Sequence, residues 1–169
     1  IDSEGYLSVS GEGDYEKTPD WLEYKKEIKY AKISVQNITS MKDFFQYCSN
    51  LEDVAFTGTD TSQVTDMSGM FYGCSKLNGV DMRQFDTSKV TTMKGMFSSC
   101  KEMKKIDISM INMSQVTDLS SLFYGCSSLE IISLGNPDTS QVQNMRKIFS
   151  GCKLLEEIDV SELETVNVI

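Results

Sequence analysis

The sequence predicts an α/β solenoid: a rod of stacked 26-residue units with short parallel strands and single helical turns, closed at its N-terminal end by a strand-and-helix cap. Three observations predict it. The five cysteines, Cys48, Cys74, Cys100, Cys126 and Cys152, stand 26 residues apart. The other apolar positions recur at the same period. Within each period the apolar spacing switches from alternation to i, i+3, i+4. A fixed period of roughly 20–50 residues marks a repeat array, because so small a unit cannot bury its own apolar face and must stack on its neighbours.

The first segment differs from the rest. Tyr6-Leu7-Ser8-Val9-Ser10-Gly11 alternates as a strand does. The run from Pro19 to Ile28 reads as a helix, with Thr18 or Asp20 as its cap and Trp21, Tyr24 and Ile28 on one stripe. Residues 1–32 are expected to form the cap of the array and residues 33–169 the repeats, as one continuous domain. Ile33, Ile38, Met41 and Phe44-Phe45 already join the repeat columns.

Each unit is justified column by column. After the cysteine come Leu51, Leu77, Met103, Leu129 or Leu155, then Val54, Val80, Ile106, Ile132 or Ile158, then Phe56, Met82, Ile108, Leu134 or Val160. Their final alternation predicts a short strand with one buried face. A polar corner follows: Asp60-Thr61-Ser62, Asp86-Thr87-Ser88, Asn112-Met113-Ser114 and Asp138-Thr139-Ser140. Asp, Asn and Ser there bond their own backbone and set a turn. Val64-Thr65, Val90-Thr91, Val116-Thr117 and Val142-Gln143 predict a second short β segment. Last come Met67…Met70-Phe71, Met93…Met96-Phe97, Leu119…Leu122-Phe123 and Met145…Ile148-Phe149, spaced as one apolar helical turn and closed by Gly or Ser.

Charge and composition exclude several functions. The net charge of −9 repels phosphate backbones and anionic lipid surfaces, which argues against nucleic acid and membrane partners. No apolar run approaches the ~18–20 residues of a spanning helix. The chain lacks histidine, and with it the commonest general base and metal ligand. It starts at Ile1 without methionine and stops in mid-unit at Val168-Ile169, so both ends are expected to be cuts in a longer protein. The uncapped C-terminal coil is a candidate for end-to-end self-association or for further units.

The units Cys74-Ser75-Lys76-Leu77…Phe85-Asp86-Thr87-Ser88-Lys89-Val90-Thr91-Thr92-Met93-Lys94-Gly95-Met96-Phe97 and their sisters resemble the BspA-like leucine-rich repeat surface proteins of bacteria, in the branch whose units read FDTSxVTxMxxMFxxCxxLxxLDLS. The lead-in Leu7-Ser8-Val9-Ser10-Gly11-Glu12-Gly13-Asp14-Tyr15, followed by Pro19…Trp21…Tyr24…Ile28, is similar to the cap that precedes such arrays. The resemblance implies a right-handed leucine-rich-repeat solenoid on a secreted or cell-surface protein, used for adhesion to a host or matrix protein or glycan. It carries no catalytic residues. Pro137, Met113 and Gln143 depart from the pattern at single positions.

The remaining chemistry is weighed residue by residue. The odd number of cysteines, without a C-x-x-C, favours a buried column of reduced thiols over disulfides or zinc. Asp60, Asp86 and Asp138, interrupted by Asn112, are a poor calcium cage and good turn formers. Thr39, Thr65, Thr91 and Thr117 form an outward column that suits an exposed pleat. Most of the ten methionines fall in core columns. No cofactor or metal is expected. The outward positions of the longer strand vary while the buried ones do not, as a displayed face requires. Asp81, Arg83, Lys105, Asp107, Ile131 and Asp159 are therefore the candidate binding face, with Asp81 and Asp107 expected on adjacent strands. The function read from all this is a non-catalytic binding module for a protein or glycan, the alternative being a structural spacer with no ligand of its own. An enzyme is not expected, because no nucleophile–base arrangement is recognisable.

Overall fold

In a computed structural model of the chain, residues 1–14, 20–156, 158, 160, 161 and 163 are described. The backbone winds as a solenoid whose strands pair in parallel. β1 (Tyr6–Glu12) pairs with β2 (Tyr30–Gln36), and β2 with β3 (Asp53–Phe56). β4 (Lys105–Asp107) pairs with β5 (Ile131–Ser133) in a second sheet. A second ladder runs as single parallel bridges through Ser40, Asp66, Thr92, Asp118 and Asn144. The β segment expected at Val64-Thr65 and its sisters is thus reduced to one bridge per coil. The register confirms the period, since Ile106 faces Ile132 and each bridge joins residues 26 apart. The fold is a leucine-rich-repeat-like solenoid.

The interior is a set of files along the rod. Phe45, Phe71, Phe97, Phe123 and Phe149 stack ring on ring at 5.6–6.0 Å and 6–11°. The thiols are filed beside them. The Sγ of Cys74, Cys100, Cys126 and Cys152 each donates to the carbonyl of Phe45, Phe71, Phe97 and Phe123 in the coil before, at 3.0–3.3 Å. All five cysteines are free, and burial pushes Cys48 and Cys126 up to about 12. They behave as small apolar side chains with a weak donor. Thr61 and Thr87 are buried and staple coils: the Thr87 hydroxyl donates to Asn112 O at 3.1 Å and accepts from Asn112 N at 2.9 Å.

The apolar turn takes a form the sequence reading did not anticipate. The i, i+3, i+4 side chains are buried, but the segment is three overlapping β-turns and not a helical turn. Phe44, Gln46 and Cys48 donate to the carbonyls of Met41, Asp43 and Phe45 within the coil. The alternate amides of Met41, Asp43, Phe45 and Tyr47 donate instead to Asp66, Ser68, Met70 and Tyr72 of the next coil. The same alternation recurs in every following coil to Phe123 and Gly125. An α-helix would spend every amide internally, so the stacked array selects the conformation that leaves half of them for its neighbour. The cost is two left-handed residues per coil: Gly69 and Gly73, Gly95 and Ser99, and Ser121 and Gly125 in the middle coils, but Asp43 and Tyr47 in the first and Lys147 beside Gly151 in the last.

The cap also departs in detail. The segment expected to be helical is a 3-10 helix over Asp20–Tyr24 only, after which the chain turns into β2. Trp21 and Ile28 are buried, while Tyr24 is exposed. Trp21 Nε1 donates to Phe44 O at 3.1 Å and its ring lies 4.8 Å from Phe44, which fixes the segment against the first coil and leaves no room for a longer helix. Thr18 and Pro19 lie outside the described residues. Asp14 stands where an upstream coil would offer carbonyls: its carboxylate takes the amides of Thr39 and Ser40. Among the described residues no helix is long and apolar enough to cross a membrane.

Candidate functional site

The expected binding face lies along the strand side of the rod, and its central coil is irregular. Residues 79–81 form no strand, so β3 and β4 are not paired through them and the sheet is interrupted. A 3-10 helix over Met82–Gln84 follows them, with Asp81 as its cap. This corrects the expectation that Asp81 and Asp107 lie on adjacent strands. The Asp81 carboxylate accepts from Arg83 N at 3.1 Å, but Asp107 accepts from Ser109 N in the same way at the end of the paired β4, so this cap does not by itself break the ladder. Gly79 adds no side chain to favour a strand.

The interruption shapes the site. Asn78, Gly79 and Val80 on one side and Lys105, Asp107 and Ile131 on the other line an indentation of about 380 Å³. Beside it Arg83 grips Asp81 through two bonds, Nε to Oδ1 and Nη2 to Oδ2, both 2.8 Å. Arg83 and its amide hold Asp81 at about 2, well below the usual carboxylate range. Asp107 accepts from the Ser109 hydroxyl at 2.6 Å and the Ser109 amide at 3.0 Å. Those bonds, with help from the Arg83 charge, also hold it low. Lys105 and Ile131 are cross-strand partners, and Ile131 is 58% exposed. The structure thus groups Asp81, Arg83, Lys105, Asp107 and Ile131 on one face, whereas Asp159 lies outside the described residues.

The Asp corners act as turn formers. The carboxylates of Asp60, Asp86 and Asp138 accept from the amides of Ser62, Ser88 and Ser140, and Asn112 does the same for Ser114. Among the described residues no three acidic or cysteine side chains gather as a metal site. The outward Thr65, Thr91 and Thr117 hydroxyls are turned back onto the carbonyls of the preceding coil.

These bonds have a pH consequence. The serine amide foremost at Asp60, and the serine hydroxyl foremost at Asp86 and Asp138, lower the folded-state pKa. A depressed carboxylate contributes stability that is present above its unfolded pKa, about 3.9, and lost as pH falls through the folded value. Asp43, raised by burial, opposes them. The urea midpoint is therefore expected to hold down to about pH 4 and then fall progressively toward pH 2. A midpoint flat over that range contradicts the assignment.

A second concavity, of about 640 Å³, lies on the turn face and includes Tyr47, Tyr72, Tyr124, Lys42, Lys94 and Lys147. Sequence reasoning missed it, although the recurrence of Tyr72 at Tyr124 and of Lys42 at Lys94, two periods apart, was a visible signal.

With this geometry in place, comparison with known proteins gives the relationship. The profile of a family described as "Mycoplasma protein of unknown function, DUF285" matches residues 20–131 and 117–169. The chain belongs to this family. None of the curated proteins compared with this DUF285 chain matches it. Among solved structures it is similar to the T. pallidum leucine rich repeat protein TpLRR, at 16% identity, covering 89% of this chain and 72% of that one, with a TM-score of 0.45. A solenoid of this leucine-rich-repeat-like kind suggests an interaction module, and the description of the DUF285 family names no function.

Proposed function

We propose that the chain is a binding module of a bacterial surface or secreted protein, and that it captures a host or matrix protein on its strand face. Membership of the DUF285 family and the resemblance of its units to BspA-like repeats support the setting. The observation that carries the binding role is the interrupted sheet. It leaves an indentation next to a held Asp81–Arg83 pair, with Lys105 and the exposed Ile131 in reach. An apolar spot ringed by fixed charges is the composition of a protein-binding patch. The rod supplies the rigidity that keeps the ordering cost of binding low.

An array of purified matrix proteins, probed with the chain and with the double variant Asp81→Lys, Asp107→Lys, tests this. Capture by the native chain is expected to fall about tenfold or more in the variant. Capture that is absent, or indifferent to both charges, overturns the reading and leaves a spacer in its place.

A further inference from the structure

The groove on the turn face shares no residue with the strand-face indentation. It runs along the rod from Lys42 to Lys147. Its floor is small and polar, with Gly69, Gly95 and the Ser98 side. The floor amides are spent between coils, Gly69 N on Lys94 O and Gly95 N on Ser120 O, both at 2.9 Å. No free strand edge is therefore offered to a peptide.

What the groove does offer is aromatic rings with cations beside them. Tyr72 and Tyr124 hold the same repeat position two coils apart, with Ser98 in the gap. Tyr47 meets Tyr72 edge-on at 5.1 Å. The Lys147 ammonium lies 5.9 Å over the Tyr124 ring, and Lys25 lies 5.7 Å over Tyr47. Lys42 and Lys94 likewise repeat two coils apart. Asp43 is the acid on this lining, and its carboxylate is engaged by Gln46 Nε2 at 2.8 Å. On a chain of net charge −9, a groove with this excess of lysine selects an anion.

The spacing selects the kind of anion. The coils repeat at 5.6–6.0 Å where the buried phenylalanine rings stack, which is about the length of one linked sugar ring. Rings placed two coils apart face every second sugar, and so do cations with the same spacing. The carbon-bound hydrogens of a sugar face suit a tyrosine ring, and its hydroxyls suit the Ser68 and Ser121 side chains of the lining. We propose that this groove binds a polysaccharide bearing a carboxylate on alternate sugars, with rings against Tyr72 and Tyr124 and carboxylates against Lys42 and Lys94.

Calorimetric titration of the chain with hyaluronan hexasaccharide, whose sugars alternate acidic and neutral, tests the proposal. Binding is expected, weakening with salt. Tyr124→Ala and Lys94→Gln, both at exposed positions, should each lower affinity about tenfold at an unchanged urea midpoint. Arg83→Gln on the strand face should leave affinity as it was. The neutral chitin hexasaccharide should bind at least tenfold more weakly. No heat with the hexasaccharide overturns the proposal. So does equal or tighter binding of oligogalacturonate, oligothymidylate or poly-glutamate, and so does affinity indifferent to Tyr124→Ala.

Discussion

Phe97→Ala is expected to lower the stability of the chain by about 3–5 kcal/mol, the cost of truncating a fully packed phenylalanine. The ring is 1% exposed and sandwiched between Phe71 at 5.6 Å and Phe123 at 5.7 Å. Truncation removes both stacking pairs and opens a void in the middle of the rod. The void closes poorly, because the Phe97 backbone is tied twice to the next coil: its amide donates to Leu122 O at 3.0 Å, and its carbonyl accepts from Cys126 Sγ at 3.0 Å. Phe149 supplies the internal comparison. It is half-buried and stacks on Phe123 at 6.0 Å. Phe149→Ala is expected to cost about half as much. Urea unfolding at constant m measures both. Equal losses, or a Phe97→Ala loss under about 1.5 kcal/mol, contradict the role assigned to the stack.

The second large effect separates backbone strain from collision. Gly95 and Gly135 have nearly the same left-handed backbone, φ +60° and +69°. A Cβ on Gly95 would meet only Ser98 Cβ at 3.8 Å and Tyr72 Cδ2 at 3.9 Å. A Cβ on Gly135 would strike the coil below, at 2.8 Å from Ser109 Cβ and 2.9 Å from Ser109 Cα. Gly95→Ala is therefore expected to cost only the left-handed penalty, about 1–2 kcal/mol. Gly135→Ala adds the displacement of backbone, for about 2–5 kcal/mol in total. Thermal and urea unfolding of the pair decide it. If Gly95→Ala proves the more damaging, the close approach of the coils after β4 and β5 is wrong.

Much of this architecture was legible in the chain. Buried side chains repeat when coils repeat, so the cysteine and phenylalanine columns announced both the period and the core. The Asx corners were legible as well, because Asp60 and Asp86 bond an amide two residues away and need no distant partner. The candidate face was legible only as a set of outward positions. That residues 79–81 leave the sheet while Lys105–Asp107 stay in it is a contest between pairing partners, since Asp81 and Asp107 make the same bond to an amide two residues on. Spacing alone carries no measure of that contest.

The sequence by itself determined the unit, the order of the columns and which side chains go inside, since burial follows a pattern written into consecutive residues. Only the tertiary structure decided how the backbone amides are shared. Apolar residues at i, i+3, i+4 suit a helical turn and a run of β-turns equally well. The choice fell to the turns because the next coil offers carbonyls to the amides of Met41, Asp43, Phe45 and Tyr47 that an isolated unit does not have. The turn-face groove is decided in the same way, for Tyr72 and Tyr124 come to one surface only when the coils between them are stacked.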